Sequence, residues 1–202
     1  MIKTTALVLC LTSAGPLTAA TESDAPSRTV RGLRIEYVIV STATEVTGSV
    51  RTSTDRSVLF MDISGRERIE SRTSDGALRV ILNDVSAETF TELDPASRRA
   101  SVHRHHSADD QGSEARASGT SGRRPTHPLG TRVIQDLDCE VRGDDRIEVA
   151  FCTEPITGLS IIGSETVRLP AAEIRRTIEK VEVLQLDATL FEVPADYVLG
   201  ED

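Results

Sequence analysis

Ser57-Val58-Leu59-Phe60-Met61-Asp62-Ile63-Ser64-Gly65-Arg66-Glu67-Arg68-Ile69-Glu70-Ser71 is the stretch whose reading decides the fold. Its first seven residues are rich in β-branched and apolar side chains, Ser64-Gly65 is turn chemistry, and the remainder alternates charge with other side chains. Two such runs joined by a short turn describe a β-hairpin. Arg66, Arg68 and Arg72 fall on one side of the second arm at strand parity. Glu70 shares that side, which makes it a solvated, mixed-charge surface rather than an anion-binding stripe.

The same pattern extends both ways. Residues 33–40 begin with alternation and become apolar on both faces, and residues 45–52 read as a second strand. Downstream, Ser74-Asp75-Gly76 is a turn, 78–82 a strand, and 88–93 another strand ending at Asp94-Pro95. Residues 159–163 and 165–169 read as two strands. Within 170–186, Pro170 is able to start a helix and Ile174, Ile178 and Val181 keep helical spacing, whereas 180–186 prefers strand. Only that second half is assigned. Asp187 is a capping residue for one helical turn over Ala188-Thr189-Leu190, after which Phe191, Val193 and Tyr197 plug the apolar side of a sheet. Strands every ten residues or so, with turn residues between them, predict an antiparallel meander rather than βαβ units. The expected fold class is mainly β, with little helix.

Residues 107–130 break this pattern. They are small, polar and rich in Gly and Pro, too poor in apolar groups to offset the entropy of ordering, and are expected to be one long disordered loop. Residues 1–20 are a different exception. Lys3, the apolar run 6–11, Gly15-Pro16 and the small residues before Thr21 make a secretory signal peptide cut after Ala20. The expected organisation is therefore a leader over 1–20, a flexible start over 21–31, and one β domain over 32–199. No later run is long and apolar enough to cross a bilayer, and the product is expected to be periplasmic or secreted.

Composition narrows the function classes. The 202 residues carry 23 Lys+Arg against 32 Asp+Glu, a net charge of −9, which disfavours binding to duplex nucleic acid. Aromatic residues make up only 3%, leaving no stacking platform for single strands. Arginine outnumbers lysine 21 to 2, a bias that genome composition is enough to explain.

Two cysteines remain after the leader, Cys139 and Cys152, and in an oxidising compartment an even pair reads as a disulfide. They lie on the arms of a hairpin whose turn is placed at Arg142-Gly143-Asp144-Asp145. About that turn they are not symmetric, so the bridge is expected to need a bulge or a diagonal approach. There is no Cys-x-x-Cys and no neighbouring His to favour a redox or metal role.

The four histidines cluster. If 101–106 is a strand, His103 and His105 project from one face, where two imidazoles are able to share Zn²⁺, Ni²⁺ or Cu²⁺, with Asp109, Asp110 and His127 as further ligands. The plainer reading is a solvated strand end running into a mobile loop, which leaves the ligands without the supporting contacts a metal site needs. Nucleophile elbows, phosphate-cradling loops, dinucleotide fingerprints and EF-hand spacing are absent from the sequence, and a non-catalytic protein without cofactor is expected.

Three segments carry a resemblance: Gly65-Arg66-Glu67-Arg68-Ile69-Glu70-Ser71, Leu93-Asp94-Pro95-Ala96-Ser97-Arg98-Arg99, and the tail from Asp187 through Phe191, Val193-Pro194 and Tyr197. In this order they resemble a family of exported bacterial proteins similar in architecture to the periplasmic lipoprotein carriers of the LolA/LolB kind. The resemblance implies a strongly curved antiparallel sheet, a half-open barrel, whose hollow side is able to take a ligand. The carriers' long lid helix is missing from this sequence. Leu59, Met61, Ile63, Val80 and Leu82 are the residues expected to line such a hollow for an apolar or lipid-like ligand or a lipoprotein. The alternative is a protein-interaction module of the cell envelope that uses the 107–130 loop or the sheet edges.

Overall fold

The computed structural model describes residues 28–72, 76–104 and 127–200. Twelve strands make one sheet: β1 (Thr29–Thr44), β2 (Val50–Asp62), β3 (Arg66–Arg72), β4 (Leu78–Asp84), β5 (Thr89–Asp94), β6 (Arg99–Arg104), β7 (Pro128–Ile134), β8 (Leu137–Gly143), β9 (Ile147–Thr153), β10 (Ser160–Leu169), β11 (Ala172–Asp187) and β12 (Val198–Gly200). Their order across the sheet is β12-β6-β5-β4-β3-β2-β1-β11-β10-β9-β8-β7, so β12 and β7 are free edges and the sheet does not close into a barrel. Neighbours in this order pair antiparallel, except that β12 lies parallel to β6. Among the described residues the only helical element is the 3₁₀ turn Ala188–Phe191, capped by the Asp187 carboxylate, which accepts from the Thr189 N–H at 3.0 Å.

Strand register sorts the side chains. Leu33, Ile35 and Tyr37 of β1 lie opposite Met61, Leu59 and Ser57 of β2, and these lie opposite Glu67, Ile69 and Ser71 of β3. We call their common side the Leu33 face. Val80 and Leu82 of β4 pair with Glu70 and Arg68, and on the other flank with Leu93 and Thr91, so they lie on the reverse side, the Val80 face.

A single layer cannot bury both faces by pairing alone, and two devices complete the burial. On the Val80 face, Val193 and Tyr197 of the C-terminal tail pack against Val80, Leu82, Leu93 and Ala100. The Arg68 Nη1 donates to the Leu190 carbonyl at 3.2 Å, and the Arg66 guanidinium lies 5.1 Å from the Phe191 ring centre, tying the 3₁₀ turn to β3. Burying Val or Leu side chains in this way stabilises by about 1.5–3 kcal/mol each.

On the Leu33 face the sheet covers itself. Leu33 and Ile35 are fully buried, and with Tyr37 and Ile178 they form one cluster with Leu137, Cys139 and Val141 of β8, Ala150 and Cys152 of β9, and Ile161 of β10. β1 and β8 are four strands apart in the sheet, so a flat sheet would hold them nearly 20 Å apart. Two bulges supply the bend. One is at Glu179, where Glu36 faces Lys180 but Tyr37 faces Ile178; the other is at Gly163, where Ile162 faces Phe151 but Ser164 faces Ala150. The tip of the β9–β10 hairpin is built on Glu154, which accepts from the N–H groups of Ile156 and Thr157 and from the Thr157 hydroxyl. Burial works to raise the Glu154 carboxyl, but those hydrogen bonds and the Arg31 charge of β1 hold it below the usual carboxylate range.

Several sequence expectations change. Residues 45–49 are the turn between β1 and β2 rather than the start of a strand, because Glu45 N–H and the Ser49 carbonyl close the hairpin at 2.8 Å. Residues 159–169 hold one bulged strand instead of two, and 172–187 form one continuous strand, since β1 offers a partner along that whole length. β1 begins at Thr29, inside the segment expected to be flexible. β7 takes Pro128–Gly130 out of the expected loop, while 107–126 and the leader 1–20 lie outside the described residues. The β8–β9 turn is 144–147, where the Asp144 carboxylate accepts from the N–H groups of Arg146 and Ile147. That moves its centre by two residues, and Cys139 faces Cys152 directly, with no diagonal approach.

The Cys139–Cys152 disulfide joins residues 13 apart at the core of the self-covered face. Gly163 packs on it: a Cβ there would lie 2.2 Å from Cys152 Sγ. Replacing both cysteines by serine is expected to lower the unfolding free energy by about 3 kcal/mol in urea titrations. Gly163→Ala is expected to destabilise by 1–3 kcal/mol, roughly the cost of overpacking a core.

Candidate functional site

The five residues expected to line a hollow do not share a face. Leu59 and Met61 are on the Leu33 face, whereas Val80 and Leu82, 1% and 6% exposed, lie behind it beneath the tail. Ile63 is past the end of β2, 59% exposed, in the turn organised by Asp62. The physical reason is register. Leu59 pairs with Ile69 and Ile69 with Ile81, and with a side-chain period of two the next residue along, Val80 or Leu82, points the other way.

What the structure does bring together on the Leu33 face is a row running Val181, Ile35, Leu59, Ile69, Ile81 across β11, β1, β2, β3 and β4. Phe90 of β5 stands one row away, its ring stacked at 4.7 Å on that of His103 in β6. Leu59, Ile69, Ile81 and Phe90 are half-buried, in contrast to the sealed Val80 face. Polar pairs rim the row: Asn83 Nδ2 donates to Glu67 Oε2 at 2.9 Å, and Arg79 pairs with Glu92.

At the self-covered end of the row is a polar cluster. Tyr37 is 3% exposed, with the Arg176 guanidinium 5.0 Å from its ring centre. Arg176 of β11 and Glu165 of β10 are direct cross-strand partners, and Nη2 of the first reaches Oε2 of the second at 3.1 Å. Nε of Arg176 is buried and has no hydrogen-bond partner among the described residues. Burial pushes the Tyr37 phenol up to about 12; the Arg176 charge works against that shift, and Glu67 and Glu165 reinforce it. The hydroxyl is therefore a protonated donor at any physiological pH.

The histidine cluster resolves only in part. His103 stacks on Phe90, the His127 carbonyl accepts from the Gly143 N–H at 3.0 Å, and His105, Asp109 and Asp110 lie outside the described residues. Among the described residues no group of three or more His, Cys, Asp or Glu side chains is placed to hold a metal ion. A concavity of about 460 Å³ is lined by Arg132, Ile134, Arg168 and Arg175 with Glu148, beside the Leu137–Cys139 part of the core. Each of these arginines already has a carboxylate partner, Glu148 or Glu173, at 3.0–3.5 Å, so an incoming anion would have to displace one. Arg68 and Glu70 pair at 2.7 Å, as the mixed-charge reading of that strand requires. No helix among the described residues is long and apolar enough to cross a membrane.

Sequence reasoning missed Ile69, Ile81, Phe90, Glu165 and Arg176. Ile69 was the one apolar residue in a charged run, a weak local signal; the others become visible only once strands are paired.

Because the Tyr37 phenol is protonated in the folded protein up to about pH 12 but ionises near 10 when unfolded, the chain's stability should fall between those values. Two pKa units amount to roughly 2–3 kcal/mol. Urea titrations at pH 9 and pH 11.5 should show most of that loss, about 2 kcal/mol, in the parent and a smaller one in Tyr37→Phe. Equal losses in both would contradict the assignment.

No family model matches the sequence, and no curated protein does. Among solved structures the chain is similar to an uncharacterized conserved protein from Thermus thermophilus, with 6% identity, TM-score 0.46, and 82% of this chain and 89% of that one covered. It is similar also to a DUF1329 family protein from Desulfovibrio piger, with 12% identity, TM-score 0.39, and coverage of 81% and 90%. A LolA superfamily protein from Nitrosomonas europaea matches at 9% identity and TM-score 0.39, covering 82% of this chain and 90% of that one.

Proposed function

We propose that this chain is an exported, non-catalytic protein of the cell envelope that holds an apolar, lipid-like ligand on the Leu33 face. The observation that supports the reading is the inequality of the two faces over β3–β5. The chain uses its tail to seal Val80, Leu82, Leu93 and Ala100, and leaves Leu59, Ile69 and Ile81 half-buried in a row on the reverse, with Phe90 half-buried one row away. A half-buried apolar row rimmed by paired polar groups is the composition of a ligand groove. Leu59 of the expected set belongs to it; Met61 is buried in the neighbouring row, and Val80 and Leu82 act instead as the seat of the tail. Export rests on the leader in the sequence, and the buried disulfide suits an oxidising compartment.

A protein-interaction module remains the second reading, favoured by the free edge β7, where Leu129 and Val133 are 54% and 65% exposed. Binding of the apolar dye N-phenyl-1-naphthylamine separates the two. The carrier reading expects fluorescence enhancement with micromolar affinity in the parent, and a loss of at least about tenfold in Ile69→Glu, since a charge in an apolar groove costs more than 1.4 kcal/mol. Val198→Glu, on an exposed site of β12, should leave it unchanged. No enhancement, or equal binding by Ile69→Glu, would exclude the groove.

A further inference from the structure

The concavity over β7, β9, β10 and β11 carries a charge excess that the apolar row has no use for. Among the described residues that line it are Arg132, Arg168 and Arg175, with Glu148 the only carboxylate. Two positive charges are left over there, in a chain whose net charge is −9. Strand register builds the arrangement. Thr166 of β10 lies opposite Glu148 on one flank and Arg175 on the other, Ser164 lies opposite Thr177, and Arg168 lies opposite Glu173. Ser164, Thr166 and Thr177 all belong to the lining, and none of their hydroxyls is hydrogen-bonded to another described residue. Guanidinium and hydroxyl groups therefore border one common space of about 460 Å³.

The excess is masked by a residue outside the lining. Arg175 Nη2 donates to Glu173 Oε1 at 3.1 Å, and Arg168 Nε lies 3.5 Å from Glu173 Oε2, so one carboxylate bridges two guanidinium groups. The Glu173 side chain is 39% exposed, and ion pairs this open to water are weak. Glu148, 24% exposed, holds Arg132 at 3.0 Å instead. A phosphoryl group offers three acceptor oxygens, carries up to two negative charges and suits guanidinium forks. It reproduces the two contacts that Glu173 makes, has an oxygen left for a wall hydroxyl, and brings the charge that the lining lacks.

We propose that this concavity binds the dianionic phosphoryl group of a phosphate monoester, with Arg168 and Arg175 as the clamp and Glu173 as the counter-ion it displaces. Arg132 stays with Glu148 and completes the positive wall. The volume is in the range of small-molecule sites and leaves room for the esterified alcohol. The site shares no residue with the row of Leu59, Ile69 and Ile81, so it stands whether or not that row holds a ligand.

Isothermal titration calorimetry of the full, oxidised chain at pH 8 and low salt provides the test, with methyl phosphate and methyl sulfate as probes of similar shape and different charge. The phosphate ester is a dianion at that pH, its second pKa being about 6. It should bind at least about tenfold more tightly than the sulfate. Arg175→Gln should weaken methyl phosphate by about tenfold or more, and Glu173→Gln should tighten it by about two- to fivefold. Arg99→Gln, at an exposed position of β6, should change nothing. A gain of affinity in Glu173→Gln is a result that no folding defect produces. Flotation with phosphatidylcholine vesicles, with and without phosphatidic acid, separates the sources of the phosphoryl group. Binding that requires phosphatidic acid and is lost in Arg175→Gln assigns it to a lipid head; methyl phosphate binding without vesicle binding assigns it to a soluble ester. Equal binding of phosphate and sulfate overturns the site, as does unchanged or weaker methyl phosphate binding by Glu173→Gln. Failure of methyl phosphate to bind, with vesicle binding absent or surviving Arg175→Gln, overturns it too.

Discussion

A solitary β layer exposes two faces, and its hydrogen bonds, all spent within the plane, cover neither. Among the described residues, every feature that is not a strand or a turn answers to that constraint. With no helical layer among the described residues, apolar side chains can leave water only against another part of the same sheet or against the tail. Both solutions occur. The bulges at Glu179 and Gly163 swing the β8–β10 hairpins until their side chains join those of β1, and the tail after Asp187 crosses back to the Val80 face before ending as β12 on β6. The disulfide sits where these hairpins meet the core, and Gly163 is small because the sulfurs occupy the space a side chain would take.

The division of labour between the faces follows from strand parity. Asp62 fixes the β2–β3 turn by accepting from the N–H groups of Ser64 and Arg66 and from Arg66 Nε, with Gly65 at φ +85° where only glycine is unstrained. Burial works to raise the Asp62 carboxyl, but those donors outweigh it and keep the group below its ordinary value, so the turn holds as pH falls toward the carboxylate range. The turn sets Met61 against Glu67 and Leu59 against Ile69. From that pairing onward every apolar residue of β3 and β4 is committed to one face or the other, the one covered by the tail or the one carrying the half-buried row.

Much of the architecture is legible in the sequence because alternation and turn chemistry are local. Leu33, Ile35 and Tyr37 announce a strand, Ser64-Gly65 a turn, Asp187 a cap. The errors share a cause: they concern how one strand is set against another. The cysteines look asymmetric until Asp144 is seen to open the turn, and 170–177 looks ambiguous until β1 is known to pair along it. Leu59 and Val80 look alike as apolar strand residues, yet one residue of register separates the half-buried row from the tail-covered core. The Tyr37, Glu165 and Arg176 cluster joins three strands and has no local signature at all.

The account stands on the sheet folding over its own Leu33 face. Methyl-labelled nuclear Overhauser spectroscopy of the oxidised protein tests this directly. Cross-peaks should link Leu33 and Ile35 of β1 to methyls of Leu137, Leu159 and Ile161, residues that no strand pairing brings near them. Cross-peaks confined to in-register neighbours such as Met61, Leu59, Val181 and Val183 would mean an uncurled layer, and would contradict the core described.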